Sequence, residues 1–237
     1  MNVVVTLPTY NEAENIVPLV KELRALECDP VVLVADDDSP DGTWKLVEEM
    51  SEKDPKVRLL RRTADKGRGL AGAHAFVRAL ELDAEAIVEM DADFSHRPEF
   101  VPRLLEGLAG HDIVIGSRTV KGGRDVGRPW YRRLTTRISG GYVRLALGLG
   151  VRDPNSGFRA FRGEAMDRLK PGEFISSGPS IVHEVLYRAR LNGLAMCEVP
   201  ITFVDREAGQ SKLGLGRLID GWIKVLRLRW LHLTGKF

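Results

Sequence analysis

The chain has 237 residues, 43% hydrophobic and 29% charged, which is enough for one sizeable core, or one domain with an appendage. Cys28 and Cys197 stand alone, with no CxxC and no histidine at ligand spacing. That argues against a disulfide framework or a zinc site and leads us to expect a reducing, cytosolic setting. The net charge of +2 hides an asymmetry: residues 1–112 carry 13 Lys and Arg against 23 Asp and Glu, residues 113–237 carry 22 against 10. An anionic partner is therefore expected in the second half, although a solvated basic face would carry the same charge.

No charged n-region with an apolar h-region opens the sequence, so secretion is not expected. Residues 213–233 form the best apolar segment, but Arg217, Asp220, Lys224, Arg227 and Arg229 interrupt it. It is not expected to span a bilayer.

In chain order, short apolar runs alternate with helix-period segments. NVVVTLP precedes a helix over 14–25, VVLVADD one over 43–51, VRLLRR one over 70–82, and AIVEMDAD one over 99–108; DIVIGSR follows. This repeated βαβ order predicts an α/β fold with a mostly parallel sheet covered by helices. The continuous apolar character of the strands agrees, because parallel strands are buried on both faces. After Arg118 the pattern changes. KGGRDVGRP reads as a loop, 130–149 as a helix, FRAF as a strand, 180–191 as a helix, CEVPITF as one strand, and the end as an amphipathic helix.

Ligands of open parallel sheets bind at the carboxyl ends of the strands. Pro8-Thr9-Tyr10-Asn11-Glu12, Asp36-Asp37-Asp38, Asp91-Ala92-Asp93 and Gly116-Ser117-Arg118 should share that edge. At a strand end that turns, Asp91 and Asp93 can reach one hard cation, with phosphate oxygens completing an octahedral Mg²⁺ or Mn²⁺ shell. Capping of the helix at Pro98 would use the same residues. Asp36 to Gly42 reads as a strand-to-helix turn with one functional carboxylate, Asp37, for a ribose hydroxyl or a base edge, and Asp38 solvated.

Gly67-Arg68-Gly69-Leu70-Ala71-Gly72 matches GxGxxG and opens a rival reading, an NAD-binding oxidoreductase. Four residues separate it from its strand, however, and its glycines would equally serve close helix packing. Arg206 and Lys212, flanking a Gly-Gln-Ser turn, would clamp a diphosphate or form a solvated basic turn. The five histidines form no spaced metal set, and His183-Glu184 reads as a packed helix pair.

LPTYNEAENI, VADDDSPDGT, ADKGRGLAGA, MDADFSHRPE, GSR, WYRRLTT, RDPNSGFRAF and VDREAGQSKLG, in that order, resemble the dolichol-phosphate and polyprenyl-phosphate mannose synthases. These are inverting glycosyltransferases of family 2 with the GT-A, Rossmann-like fold, and the resemblance runs over about residues 3–216. It implies a metal-dependent enzyme that moves mannose from GDP-mannose to dolichyl or polyprenyl phosphate at the cytoplasmic face of a membrane. A UDP-glucose or UDP-GlcNAc donor is the close alternative, and no nucleic-acid partner is implied.

By the same resemblance, Pro8, Tyr10, Glu12, Ala35 and Asp37 hold the nucleoside, and Asp91, Ala92 and Asp93 the metal and diphosphate. Ser95 stands as a third metal ligand, and Arg206 and Lys212 as the diphosphate clamp. Arg118, Arg132 and Thr136 grip the acceptor phosphate. One GT-A domain is expected, with a donor half (1–118), an acceptor half (119–212) and a C-terminal helix (213–237) suited to an anionic leaflet or to docking on the sheet. A phosphate monoester has its second pKa near ~6 and arrives ionised, so no catalytic base is needed.

Overall fold

The computed structural model describes residues 1–205, 215–235 and 237. The strands are β1 (Val3–Thr9), β2 (Val31–Asp36), β3 (Val57–Arg61), β4 (Ala86–Glu89), β5 (Ile113–Ser117), β6 (Arg124–Val126), β7 (Arg159–Arg162), β8 (Met196–Pro200) and β9 (Thr202–Val204). The helices are α1 (Ala13–Arg24), α2 (Thr43–Lys53), α3 (Arg68–Glu81), α4 (Val101–Gly107), α5 (Trp130–Leu147), α6 (Gly163–Leu169), α7 (Ile181–Leu191) and α8 (Leu215–Leu233).

Seven strands form one sheet in the order β3-β2-β1-β4-β7-β5-β8. All run parallel except β7, which is antiparallel to both β4 and β5. Burial on both faces explains the unbroken apolar runs. Val3, Val5 and Leu7 pack with Ile16, Leu19 and Leu104 on one side, while Val4, between them, packs with Phe76, Phe161 and Val185 on the other.

Chain order reverses at β1: β2 and β3 lie to one side of it, β4 to the other. The crevice beyond the carboxyl ends of β1 and β4 is therefore where a ligand is expected.

Three readings of the sequence are corrected. CEVPITF is two strands in two sheets: β8 pairs with β5 and ends at Pro200, β9 pairs with β6. Proline has no N–H for the next ladder, which suits a strand change there. The segment read as the loop KGGRDVGRP contains β6, a three-residue strand held by Arg124 N donating to Ile201 O at 2.9 Å and Asp205 N donating to Val126 O at 3.0 Å. Its partner is remote in sequence, so no local periodicity announces it. Helix α6 was not anticipated; it buries Ala165, Met166 and Leu169 on one face.

Candidate functional site

An open cleft of about 550 Å³ lies at that edge, lined by Pro8 at the end of β1, Tyr10 and Glu12 just after it, and Asp91, Ala92 and Asp93 after β4. Arg68 of α3, Asn155 and Gly157 ahead of β7, and Pro179, Val182 and His183 at the start of α7 complete its walls. Both sequence halves thus contribute to one cavity. The described lining carries three carboxylates against one guanidinium, a balance that opposes an anionic ligand unless further positive charge joins it.

The two aspartates are held by the chain around them. Phe94 adopts a left-handed backbone (φ 59°), a conformation a bulky residue rarely takes. The turn it makes lets Asp93 Oδ1 accept both the Ser95 amide (3.0 Å) and the Ser95 hydroxyl (2.6 Å). Asp91 N–H donates to His96 Nδ1 at 3.0 Å. Burial, outweighing the attraction of Asp91 and Asp93, keeps the His96 pKa below its ordinary value, so Nδ1 is available as an acceptor. The His96 ring stacks on Phe158 with centroids 5.0 Å apart.

Arg68 donates to Glu89 Oε1 at 3.0 Å and to Asp91 Oδ1 at 3.1 Å. Burial acts to lower its pKa, but the charges of Glu89 and Asp91 outweigh that and raise it, so the group stays cationic. Glu89 and Arg159, both fully buried, form an ion pair at 2.5 Å beneath it.

The glycines of GRGLAG serve packing. A Cβ on Gly69 would lie 2.1 Å from Ser176 O and 2.6 Å from Gly178 O, and the Gly69 amide donates to Ser177 O at 3.0 Å. The start of α3 is therefore closed against the 176–178 backbone and cannot cradle a pyrophosphate as the NAD reading requires.

Asp37 is buried and paired with Arg62, and it accepts the Gly67 amide at 2.7 Å. Ala35 is fully buried inside β2. Neither lines the cleft, because β2 is one strand removed from the crevice and the Asp37 carboxylate is spent on Arg62 and Gly67. Asp36 builds the turn, accepting Thr9 Oγ1 and the Ser39 amide at 2.8 Å each. Asp38, expected to be solvated, pairs with Arg61 at 2.6 Å. Ser95, expected as a metal ligand, is 2% exposed and turns its hydroxyl to Asp93. Arg206 and Lys212 lie outside the described residues.

The acceptor-side residues gather one layer away, around Phe203. Arg118 sits 4.7 Å above its ring and Arg128 5.7 Å. Asp153 takes Arg118 in a fork, from Nε at 2.9 Å and from the second terminal nitrogen at 3.1 Å. Burial lowers the Arg118 pKa, yet Asp153 reverses this and the net shift is upward. Arg132 pairs with Asp205 at 3.2 Å, and Arg128 donates to Thr136 Oγ1 at 3.1 Å. Asn155 joins this cluster to the cleft: its amide donates to Thr136 O at 3.3 Å, and its carbonyl meets His183 Nε2 at 3.0 Å.

Sequence reasoning missed Arg68, Arg128, Asn155 and His183 in these roles. The DPNSG run before β7 was the available signal, a polar, glycine-containing stretch on the ligand edge. Arg68 was hidden inside a motif read for its glycines. His183-Glu184 is packed as expected on the glutamate side: fully buried Glu184 accepts the amides of Ile175 and Ser176.

Comparison with known proteins agrees with this architecture. Residues 4–170 match the glycosyl transferase family 2 model. The chain is 39% identical to the undecaprenyl-phosphate mannosyltransferase of Micrococcus luteus, covering 100% of this chain and 99% of that protein. It is 40% identical to the polyprenol monophosphomannose synthase of Mycolicibacterium smegmatis over 93% of this chain and 84% of that protein. It is also 40% identical to the dolichol-phosphate mannosyltransferase of Pyrococcus furiosus, over 90% of this chain and 59% of that longer protein. Among solved structures, glucosyl-3-phosphoglycerate synthase from Mycobacterium tuberculosis, crystallised with Mn²⁺ and UDP-glucose, superposes with TM-score 0.67 at 21% identity, covering 99% of this chain and 80% of that one. The fold is thus the GT-A glycosyltransferase fold, and the chain belongs to glycosyltransferase family 2.

Proposed function

We propose that this enzyme transfers mannose from GDP-mannose to a polyprenyl or dolichyl phosphate, with inversion, using Mg²⁺ or Mn²⁺. The observation that carries the reading is the pairing of an Asp91–Asp93 cleft at the β1/β4 switch point with an arginine cluster one layer away, joined through Asn155. The identity to three proteins named for mannosyl transfer to, or mannose on, a polyprenyl or dolichyl phosphate supports it.

The donor set suits a hard divalent cation: two carboxylates one residue apart at a turn, in a lining whose negative charge opposes a bare diphosphate. Asp91 and Asp93 would hold it, and Ser95 would orient Asp93. When bound, it supplies charge neutralisation for the departing nucleoside diphosphate. Pro8, Tyr10 and Glu12 form the β1 wall of the donor pocket, and Arg68 stabilises the Asp91 carboxylate. Arg206 and Lys212 complete the diphosphate site in this proposal.

On the acceptor side, Asp153 and Asp205 fix the planes of Arg118 and Arg132 and leave further N–H donors of each for a phosphate. Thr136 and Arg128 border the same cluster. The phosphate oxygen attacks C1 already ionised, so no base is drawn from the chain. His183 fits that view, since burial and the nearby Arg159 push its pKa down to about 4 and keep it neutral.

Residues 1–118 would supply most of the nucleotide-sugar site and residues 119–212 the acceptor site, with α7 reaching back into the donor cleft. No helix among the described residues is long and apolar enough to cross a membrane. Helix α8 instead buries Val225 and Leu228 while exposing Ile223, Leu226, Trp230 and Leu233. Beside it, α5 exposes Trp130, Leu134, Ile138 and Leu145 among arginines. These outward faces suit peripheral attachment to an anionic leaflet, on the cytoplasmic side in our reading.

The test is a panel of GDP-mannose, UDP-glucose and UDP-GlcNAc, each with one short polyprenyl phosphate and either metal, read by product mass. Product from GDP-mannose alone is expected. Product only from a UDP-sugar, or turnover undiminished by a chelator, would overturn the donor or the metal assignment respectively.

A further inference from the structure

Arg68 does more than line the donor cleft. One of its terminal nitrogens donates to Glu89 Oε1 at 3.0 Å and the other to Asp91 Oδ1 at 3.1 Å, so a single guanidinium ties the last residue of β4 to the first aspartate beyond it.

The seat of that guanidinium is built from three sides. The Cβ position of Gly72, one turn along α3, lies 3.4 Å from one terminal nitrogen. The Cβ position of Gly157, ahead of β7, lies 3.5 Å from the other and 3.8 Å from Asp91 Oδ1. Beneath, Glu89 Oε2 takes Arg159 at 2.5 Å, and Arg159 donates onward to Val182 O at 3.0 Å. Glu89 therefore keeps a buried counter-ion of its own, whatever Arg68 does. The Arg68 side chain is 25% exposed, and that part faces the cleft.

The consequence is electrostatic. A carboxylate oxygen has lone pairs for both a guanidinium N–H and a cation, but two positive charges on one oxygen repel, and a partly buried cleft screens them poorly. The Asp91–Asp93 pair thus carries a fixed charge that opposes a divalent ion arriving alone. A diphosphate reverses the balance, because its oxygens accept from the remaining N–H groups of Arg68 and neutralise the repulsion.

We infer that Arg68 is a positioning residue that acts through Asp91 to make metal binding depend on the nucleoside diphosphate. Without the diphosphate it opposes the cation; with it, the same charge joins the diphosphate site. The inference rests on the metal reading given above and adds to it a mutual dependence of the two ligands.

The test is a Mn²⁺ titration of the full chain, followed by electron paramagnetic resonance of the free ion, with and without GDP. Arg68→Gln keeps an N–H donor and loses the charge; without GDP it should bind Mn²⁺ about tenfold tighter than the parent, whereas Arg68→Lys, which keeps the charge, should stay within about threefold. The factor by which GDP tightens Mn²⁺ binding should be about tenfold smaller in Arg68→Gln than in the parent. A disturbed fold would weaken binding, so a gain in affinity has no structural imitation. Equal Mn²⁺ affinity of Arg68→Gln and the parent, while the parent with GDP binds the ion, overturns the inference and leaves the metal reading standing; so does a gain in Arg68→Lys as large as in Arg68→Gln. A parent that binds no Mn²⁺ even with GDP overturns both.

Discussion

Gly69→Ala separates the two readings of the GRGLAG motif by the sign of a stability change. Alanine for glycine inside a helix normally stabilises by up to about 1 kcal/mol. At Gly69 the new Cβ would stand 2.1 Å from Ser176 O, 2.6 Å from Gly178 O and 2.7 Å from the Ser177 carbonyl carbon, all backbone. Relief requires α3 and the 176–178 loop to part by more than 1 Å, roughly the gap between 2.1 Å and an ordinary contact, which also breaks the 3.0 Å bond from Gly69 N to Ser177 O. Overpacking of about 1–3 kcal/mol plus a lost hydrogen bond of about 1 kcal/mol outweighs the propensity gain of up to about 1 kcal/mol, leaving a net loss of about 1–3 kcal/mol. At this chain length that is a fall in Tm of about 2–12 °C. Gly141 in α5 is the control: nothing lies within 4 Å of its Cβ position, so Gly141→Ala should stabilise by about 0.5–1 kcal/mol. Urea and thermal unfolding of both variants measure this, and a Gly69→Ala protein as stable as the parent would refute the packing account.

Asp93→Ala should lower turnover by about 10²–10³-fold with an unchanged circular dichroism spectrum, and a fully active variant would remove Asp93 from the metal site. Asp153→Asn loosens the fork on Arg118 and should raise the acceptor KM by about tenfold while leaving the donor KM in place, as initial rates at varied acceptor would show. His183 contributes to pH dependence with a definite sign. Its folded pKa of about 4 lies below the unfolded 6.5, so the unfolded chain binds the extra proton and stability falls as pH drops from 6.5 towards 4. Between pH 7 and pH 5 the loss from this group is about 2 kcal/mol, measurable by urea unfolding; His183→Gln should remove that part of the slope. For α8, Leu226→Ser with Trp230→Ser should cut vesicle sedimentation without unfolding, since both are more than half exposed. Deleting the helix should instead destabilise, because it removes the buried Val225 and Leu228, whose packing on the core contributes about 1.5–3 kcal/mol each.

The donor edge was legible in the residues because its determinants are local. Apolar runs of strand length mark β1, β2, β4 and β5, and the polar groups that must sit at their carboxyl ends follow directly in sequence. Asp91, Asp93, Pro8, Tyr10 and Glu12 therefore converge as expected. Asp37 did not, since its pairing with Arg62 and the Gly67 amide depends on where β3 and α3 pass.

What local patterning establishes about this protein is the βαβ order, the acidic strand ends and the basic second half. Only the tertiary structure decides that β7 inserts antiparallel between β4 and β5, carrying Asn155 and Gly157 to the cleft, that β6 exists, and that α8 covers core with one face and leaves another exposed. The physical reason is range. A strand's burial and a turn's chemistry are written in neighbouring residues. Partners such as Arg124 with Thr202, or Arg118 with Asp153, meet through the path of the whole chain, and no period in the sequence records them.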